Sequence, residues 1–479
     1  MNTGHRTTRA VASLVLAAGI AVATGAAQSP LEPDWRQVEA ETLEHFQTLL
    51  RFDTSDPPGR EKPAADYVQD VLERAGIPVE VFALEAERPN IVARLQGNGS
   101  RAPLLLMAHT DVVNVDPEKW TFPPFSATRD SGYIYGRGAV DDKDNLSASL
   151  MVMLLLQRLD VPLDRDVIFL AEAGEEGSTR VGIEFMVNEH YSKIEAEYCL
   201  AEGGSVARVG GETQYALVQT LEKIPRAIEL TARGVAGHGS VPLRTNAIVH
   251  LSKAVATVAD WRTPIRLNET TASYFRRLAR ISSDEDAARY LSLLELDTPA
   301  ALAADDYLKQ HEPSHASMVR TSISPNMFDA GYRINVIPSE ATALLDVRQL
   351  PDEDPDAFLQ DVRRVIDDPA IDVQYAPRDV RPIADNGPLD SQAFEAVQAG
   401  IAKHYQVTTL PTMSTGATDM AYLRAKEMRC YGIGPALDRE DAALGFGAHS
   451  DQERILETEL HRFVRFYWDV VVELAASKG

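Results

Sequence analysis

The chain has 479 residues, of which 44% are hydrophobic and 25% charged; this fits a soluble globular protein of two to three domains and excludes a fibrous, repetitive or disordered one. With 71 acidic and 47 basic side chains the net charge is −24, a surface that repels phosphates, so nucleic acid is excluded as a partner. Cys199 and Cys430 are the two cysteines, far apart and in apolar contexts. They form neither a disulfide scaffold nor a zinc ribbon, so any metal must be held by histidine and carboxylates.

Residues 1–27 read as a signal peptide: Arg6 and Arg9 precede an Ala-rich apolar run that ends in the small residues Thr24, Gly25, Ala26 and Ala27. An uncleaved membrane anchor is the alternative, but the Ala and Gly content makes the run weakly hydrophobic. A secreted or periplasmic protein with no stable membrane span after cleavage is expected. Residues 35–50 then read as an amphipathic helix, 53–60 as a Pro/Gly-rich loop, and 63–75 as a helix stopped by Gly76 and Pro78. Apolar runs at 79–84, 90–95, 104–108, 167–171 and 198–201 alternate with helical patterns at 145–159 and 181–189. That alternation predicts an α/β domain with a mostly parallel central sheet flanked by helices, beginning at 28–222.

The character changes near Glu222. Residues 227–233 and 341–347 alternate like half-exposed strands, with helices from Thr245 and over 355–366, a short strand at 371–375, and a mixed charged stretch over 262–317. This antiparallel α+β pattern predicts an inserted domain over 223–378. A loop rich in Pro, Asp and Gly around 378–388 returns the chain to helix and strand alternation in a second catalytic part, 379–479.

Three of the apolar runs end in His or acids. Residues 104–108 lead into His109-Thr110-Asp111, 167–171 into Glu172 and then Glu175-Glu176, and 198–201 into Glu202-Gly203-Gly204. Asp141-Asp142 follows a Gly-rich turn and opens the long apolar helix. Ligands of open α/β sheets bind beyond the carboxyl ends of the strands, so these groups are expected at one rim. Taken singly each is ordinary: His-x-Asp is commonly a surface pair, Glu175-Glu176 a solvated turn, and Asp141-Asp142 a helix cap. Gathered together they repel one another unless cations intervene. Oxygen and imidazole donors suit zinc, and also cobalt or manganese.

The ordered series His109-x-Asp111, Gly136-Arg137-Gly138-x-x-Asp141-x-Lys143, Glu175-Glu176-Gly177, Glu202-Gly203-Gly204, Gly237-His238-Gly239-Ser240-x-Pro242 and late His449 resembles the co-catalytic di-zinc metallopeptidases. That family includes aminoacylases, acetylornithine deacetylase, succinyl-diaminopimelate desuccinylase, glutamate carboxypeptidase and carnosinases. The resemblance runs from about residue 35 to the end; the Glu-Gly-Gly motif, the export signal and the long insert look most like carboxypeptidase S and N-acyl-amino-acid hydrolases. It implies a catalytic domain with an inserted lid and dimerisation domain, and two Zn2+ per chain. In its ligand set Asp141 bridges both metals, His109 and Glu202 complete one site, and Glu176 and His449 the other. Asp111 orients the His109 imidazole, and Glu175 is the general base acting on a metal-bridging water. His238 stabilises the oxyanion and is often supplied by the partner subunit of a homodimer. Asn335 and Arg348 grip the substrate carboxylate, and Gly416 and Thr418 belong to a substrate loop over 414–419. Asp144 and Ala417 stand where many members have Gly. The implied activity is cleavage of an amide or peptide bond in a dipeptide, short peptide or N-acyl amino acid with a free carboxylate. A catalytically silent, metal-dependent binding protein on the same fold is the alternative; it would lack the base or a ligand, and neither is missing.

Overall fold

The apolar runs at 104–108, 167–171 and 198–201 become central strands of a ten-stranded sheet, and 90–95 joins them near one edge. The structure, a computed structural model, describes residues 1–4, 32–377, 380–383 and 387–477. The expected leader therefore lies, apart from its first four residues, outside the described residues. Among the described residues, no helix is long and apolar enough to cross a membrane.

Strand Leu104–His109 sits between Val167–Glu172 and Tyr198–Ala201 and is parallel to both, and Tyr198–Ala201 is parallel to Arg429–Gly432 on its other side. These strands are buried on both faces, which is why they read as unbroken apolar runs rather than alternating ones. Helices Lys143–Arg158 and Glu457–Ala475 cover one face; the first is buried almost all round, as its apolar sequence requires. Helices Ile183–Glu189 and Met420–Arg424 cover the other. The sheet is parallel at its centre and mixed at its flanks. Val79–Phe82 and Asn90–Leu95 run antiparallel at one side, and a hairpin of Ser205–Val209 and Glu212–Glu222 lies at the other. The hairpin turns on Gly210-Gly211, both at positive φ, the conformation that a tight two-residue loop demands.

A second, four-stranded sheet is antiparallel throughout, in the order Ser322–Ala330, Glu340–Gln349, Ile224–Arg233, Ile371–Tyr375. Helices Ala247–Asp260 and Pro355–Ile366 pack on it through Leu251, Phe358 and Val362 against Leu230, Leu345 and Val347. Its edge strand Ser322–Ala330 exposes Met327 and Phe328. The charged stretch 262–317 folds into helices Glu269–Ala279, Asp284–Ser292, Pro299–His311 and Pro313–Met318. They pack through Phe275, Leu278 and Leu308 on Leu221, Leu410 and Met413 of the large sheet. Glu222 and Lys223 carry the chain from one sheet to the other.

Candidate metal centre

The carboxyl ends of the central strands bring the predicted ligands together. Asp141 is the hub: its Oδ1 lies 3.0 Å from His109 Nε2 and its Oδ2 3.1 Å from His449 Nε2. His449 Nε2 is also 2.9 Å from Glu176 Oε1. Donor atoms of His109, Asp141 and Glu176 all lie within 4.8 Å of one another, as do those of His109, Glu175 and Glu202. Donors about 340 residues apart in sequence thus meet at one point.

The charges conflict. Burial pushes Glu202 well above the ordinary carboxylate range, and Glu175 and Asp141 nearby push it further. Burial likewise raises Glu175, and lifts Glu176 to about 7 although His449 opposes it. Asp141 moves the other way: burial would raise it, but hydrogen bonds from His109 and His449 hold it far below its ordinary value. Bonds to Asp141 and Glu176 lift His449 to about 10. His109 is also raised, its bonds to Asp111 and Asp141 outweighing burial. Mixed imidazole and carboxylate donors, crowded together and reachable from solvent at His449, are what a divalent ion of the zinc type takes up, so the residues fit such an ion.

Asp111 is fully buried and holds the centre in two ways. His109 Nδ1 donates to the Asp111 backbone carbonyl at 3.0 Å, which turns Nε2 toward Asp141; the Asp111 carboxylate is farther, at 3.6 Å. That carboxylate instead accepts from the backbone N–H groups of Gly174, Glu175 and Glu176 at 2.9, 3.2 and 2.9 Å. Asp111 therefore aims the imidazole chiefly through its main chain and fixes the acid loop with its side chain. Gly177 follows that loop because a Cβ there would come within 2.2 Å of Asp56 Oδ2. Arg88 lies beneath, pairing with Asp56 at 2.5 Å and Glu61 at 2.6 Å, so the buried group Asp56, Glu61 and Asp111 already has its cation.

Two supporting residues carry no sequence signal. Glu453 is buried and accepts from Arg137 Nη1 (2.7 Å), Gly138 N (3.1 Å) and Val140 N (2.7 Å), while Arg137 Nη2 donates to the Ser450 carbonyl at 2.7 Å. This ties the turn before Asp141 to the loop that carries His449. Arg381 donates to Glu175 Oε1 at 2.8 Å and to Asp419 Oδ1 at 2.9 Å.

The remaining predicted residues lie apart from the acid cluster or are committed elsewhere. His238 is exposed on Gly237–His238, which pairs with Val336–Ile337, and its Nδ1 meets Ser240 Oγ at 2.7 Å. Asn335 is adjacent, its carbonyl accepting from Gly239 N at 2.9 Å. Arg348 lies on Glu340–Gln349 with Nε 3.2 Å from both oxygens of Asp346. Gly416 N donates to Ser414 Oγ at 3.1 Å. Thr418, expected in a substrate loop, is buried: its hydroxyl donates to Glu222 Oε2 at 2.7 Å and its N–H to Oε1 at 3.0 Å, so these groups secure the loop.

Known proteins share this sequence pattern and this fold. Residues 105–473 match the model of "Peptidase family M20/M25/M40". The chain is 28% identical over 385 residues to a probable carboxypeptidase S-like 2 of Dictyostelium discoideum, covering 78% of this chain and 72% of that protein. It is 29% identical over 378 residues to the N-fatty-acyl-amino acid synthase/hydrolase PM20D1 of Xenopus tropicalis, covering 77% and 72%. The crystal structure of a M20 family metallo-carboxypeptidase, Sso-CP2 from Sulfolobus solfataricus, shares the fold with a TM-score of 0.67 at 20% identity, over 90% of this chain and 98% of that one. The chain belongs to peptidase family M20/M25/M40.

Proposed function

We propose that this metallohydrolase is an exported two-zinc enzyme that cleaves the amide bond of a dipeptide, short peptide or N-acyl amino acid next to a free carboxylate. The observation that carries the reading is Asp141, set between His109 and His449 with Glu176 and Glu202 in the same cluster. The names of its relatives, carboxypeptidase S-like and N-fatty-acyl-amino acid synthase/hydrolase, support the substrate class. We assign the catalytic unit to 28–222 and 379–479 and the insert to 223–378, with residues 1–27 as a removed leader; N-terminal sequencing of protein recovered outside the cytoplasm tests the removal.

Asp141 would bridge the two ions, His109 and Glu202 would hold one, and Glu176 and His449 the other. When bound, such ions supply acidification of water to a pKa of about 7 and polarisation of the scissile carbonyl. The protein's own part begins with Glu175. Its carboxylate is buried, raised in proton affinity, and pinned at its backbone N–H by Asp111, so it is placed to take a proton from water and return it to the leaving amine. Asp111 keeps His109 Nε2 turned to the centre, where it would offer its lone pair to an ion. Asn335 and Arg348 would receive the substrate carboxylate, Arg348 through a planar fork suited to it. A panel of dipeptides, N-acyl amino acids and their C-terminal amides tests this: the free acids should be cleaved and the amides spared. Equal cleavage of the amides removes Arg348 as an anchor, and turnover of none of them favours a silent binding protein. Elemental analysis should find zinc near two per chain.

His238 would act across a homodimer. It is exposed, Val241 close to it in the chain is exposed as well, and its strand partner Val336 follows exposed Tyr332 and Ile334; apolar residues left open in this way are ones a second copy would cover. Removing an oxyanion donor reduces kcat by about 10²–10³-fold. If the partner supplies His238, mixing inactive His238→Ala and Glu175→Gln subunits restores activity, because each mixed dimer has one intact site. No recovery on subunit exchange would place His238 in its own chain's site or outside catalysis.

A further inference from the structure

Arg381 lies in the stretch read from sequence as a Pro/Asp/Gly loop, yet its guanidinium is shared between Glu175 of the centre and Asp419 behind it. Nη2 is 2.8 Å from Glu175 Oε1 and Nη1 is 2.9 Å from Asp419 Oδ1. The side chains are 14%, 9% and 1% exposed for Arg381, Glu175 and Asp419. The far end of this fork is fixed. Asp419 opens helix Met420–Arg424, and buried Glu222 binds the flanking residues, accepting from Thr418 and from Arg424 Nη1 at 3.0 Å.

Glu175 is the same kind of donor as the ligands and stands among them, its oxygen within 4.8 Å of donor atoms of His109 and Glu202. A buried carboxylate so placed has two fates. It can coordinate a cation and lose its affinity for protons, or it can be held off and stay free to accept one. We propose that Arg381 selects the second fate: it is a positioning residue whose fork holds Glu175 out of the coordination shell and keeps it available as the base. The inference rests on the two-cation reading above and extends it. The physical basis is a charge-assisted hydrogen bond in a dry setting, made by a planar cation that can engage Glu175 and Asp419 at once. A lysine ammonium at 381 keeps the charge but loses the fork, so it should substitute in part.

The test uses the full chain, stripped of metal and reloaded with Co2+ alone, because cobalt's visible bands weaken and shift when coordination number rises. Arg381→Ala should change the cobalt spectrum in that direction, since the released Glu175 becomes a ligand. With zinc it should lower kcat by about 10–100-fold, as losing a partner that orients a metal site does, with KM little changed. Arg381→Lys should fall between the two in both readouts. An unchanged spectrum with unchanged kcat overturns the proposal. So does a rise in KM alone, which would make Arg381 a substrate-carboxylate anchor. Should circular dichroism show Arg381→Ala unfolded, Arg381→Lys and Asp419→Asn carry the test, and cobalt spectra of both identical to the native one overturn it. If the native chain takes up no cobalt, the two-cation reading itself fails; if it takes up cobalt and the variants match it, the role of Arg381 alone fails.

Discussion

Glu175→Gln is expected to lower kcat by about 10²–10⁴-fold, the range a well-placed general base contributes. The exchange keeps the size of the side chain and an oxygen for Arg381 Nη2, so the loop pinned by Asp111 should stay in place. What it removes is the proton affinity that burial confers on this carboxyl. Zinc content by elemental analysis should therefore match the native chain while turnover collapses. Loss of zinc together with activity would instead make Glu175 a ligand, and retained turnover would end its assignment as the base.

Asp141→Asn should have an effect at least as large by a different route. Asp141 is the carboxylate that faces both His109 and His449, so one substitution removes an anion from each half of the centre. Losing an outer partner of a metal site already costs about 10–100-fold in affinity or activity, and a shared ligand should exceed that for both ions. After dialysis against a weak chelator the variant should hold less metal than the native chain, measured by elemental analysis, and should show no turnover at native metal concentrations. Full retention of two metals per chain would remove Asp141 from its bridging place.

The parts of this fold that bury both faces of a strand were legible in the residues. Runs such as 104–108 and 167–171 have no polar partner to alternate with, so their burial and their parallel pairing could be read together. The ligands at their ends could be placed because strand direction alone carries His109, Glu176 and Glu202 to one rim. Glu212–Glu222 carries no legible strand pattern because Gln, Thr and Glu interrupt it; those polar residues are buried against Thr418 and Thr270, partners that no local pattern shows. The four helices between 269 and 318 bury narrow stripes such as Tyr274, Phe275 and Leu278, and their charged outer faces mask that periodicity. Arg381 and Glu453 act through tertiary approach across more than 200 and 300 residues, and nothing in their own neighbourhoods distinguishes them from other charged side chains.

The bond of Arg137 to Glu453 and Ser450 also bears on how the molecule is made. It closes a loop of more than 300 residues, and the imidazole of His449 arrives only with that closure. A ribosome must release nearly the whole polypeptide before the last donor can join the first, and contacts this remote form late. The half of the centre that His449 shares with Asp141 therefore cannot assemble until the C-terminal part of the chain has joined the fold.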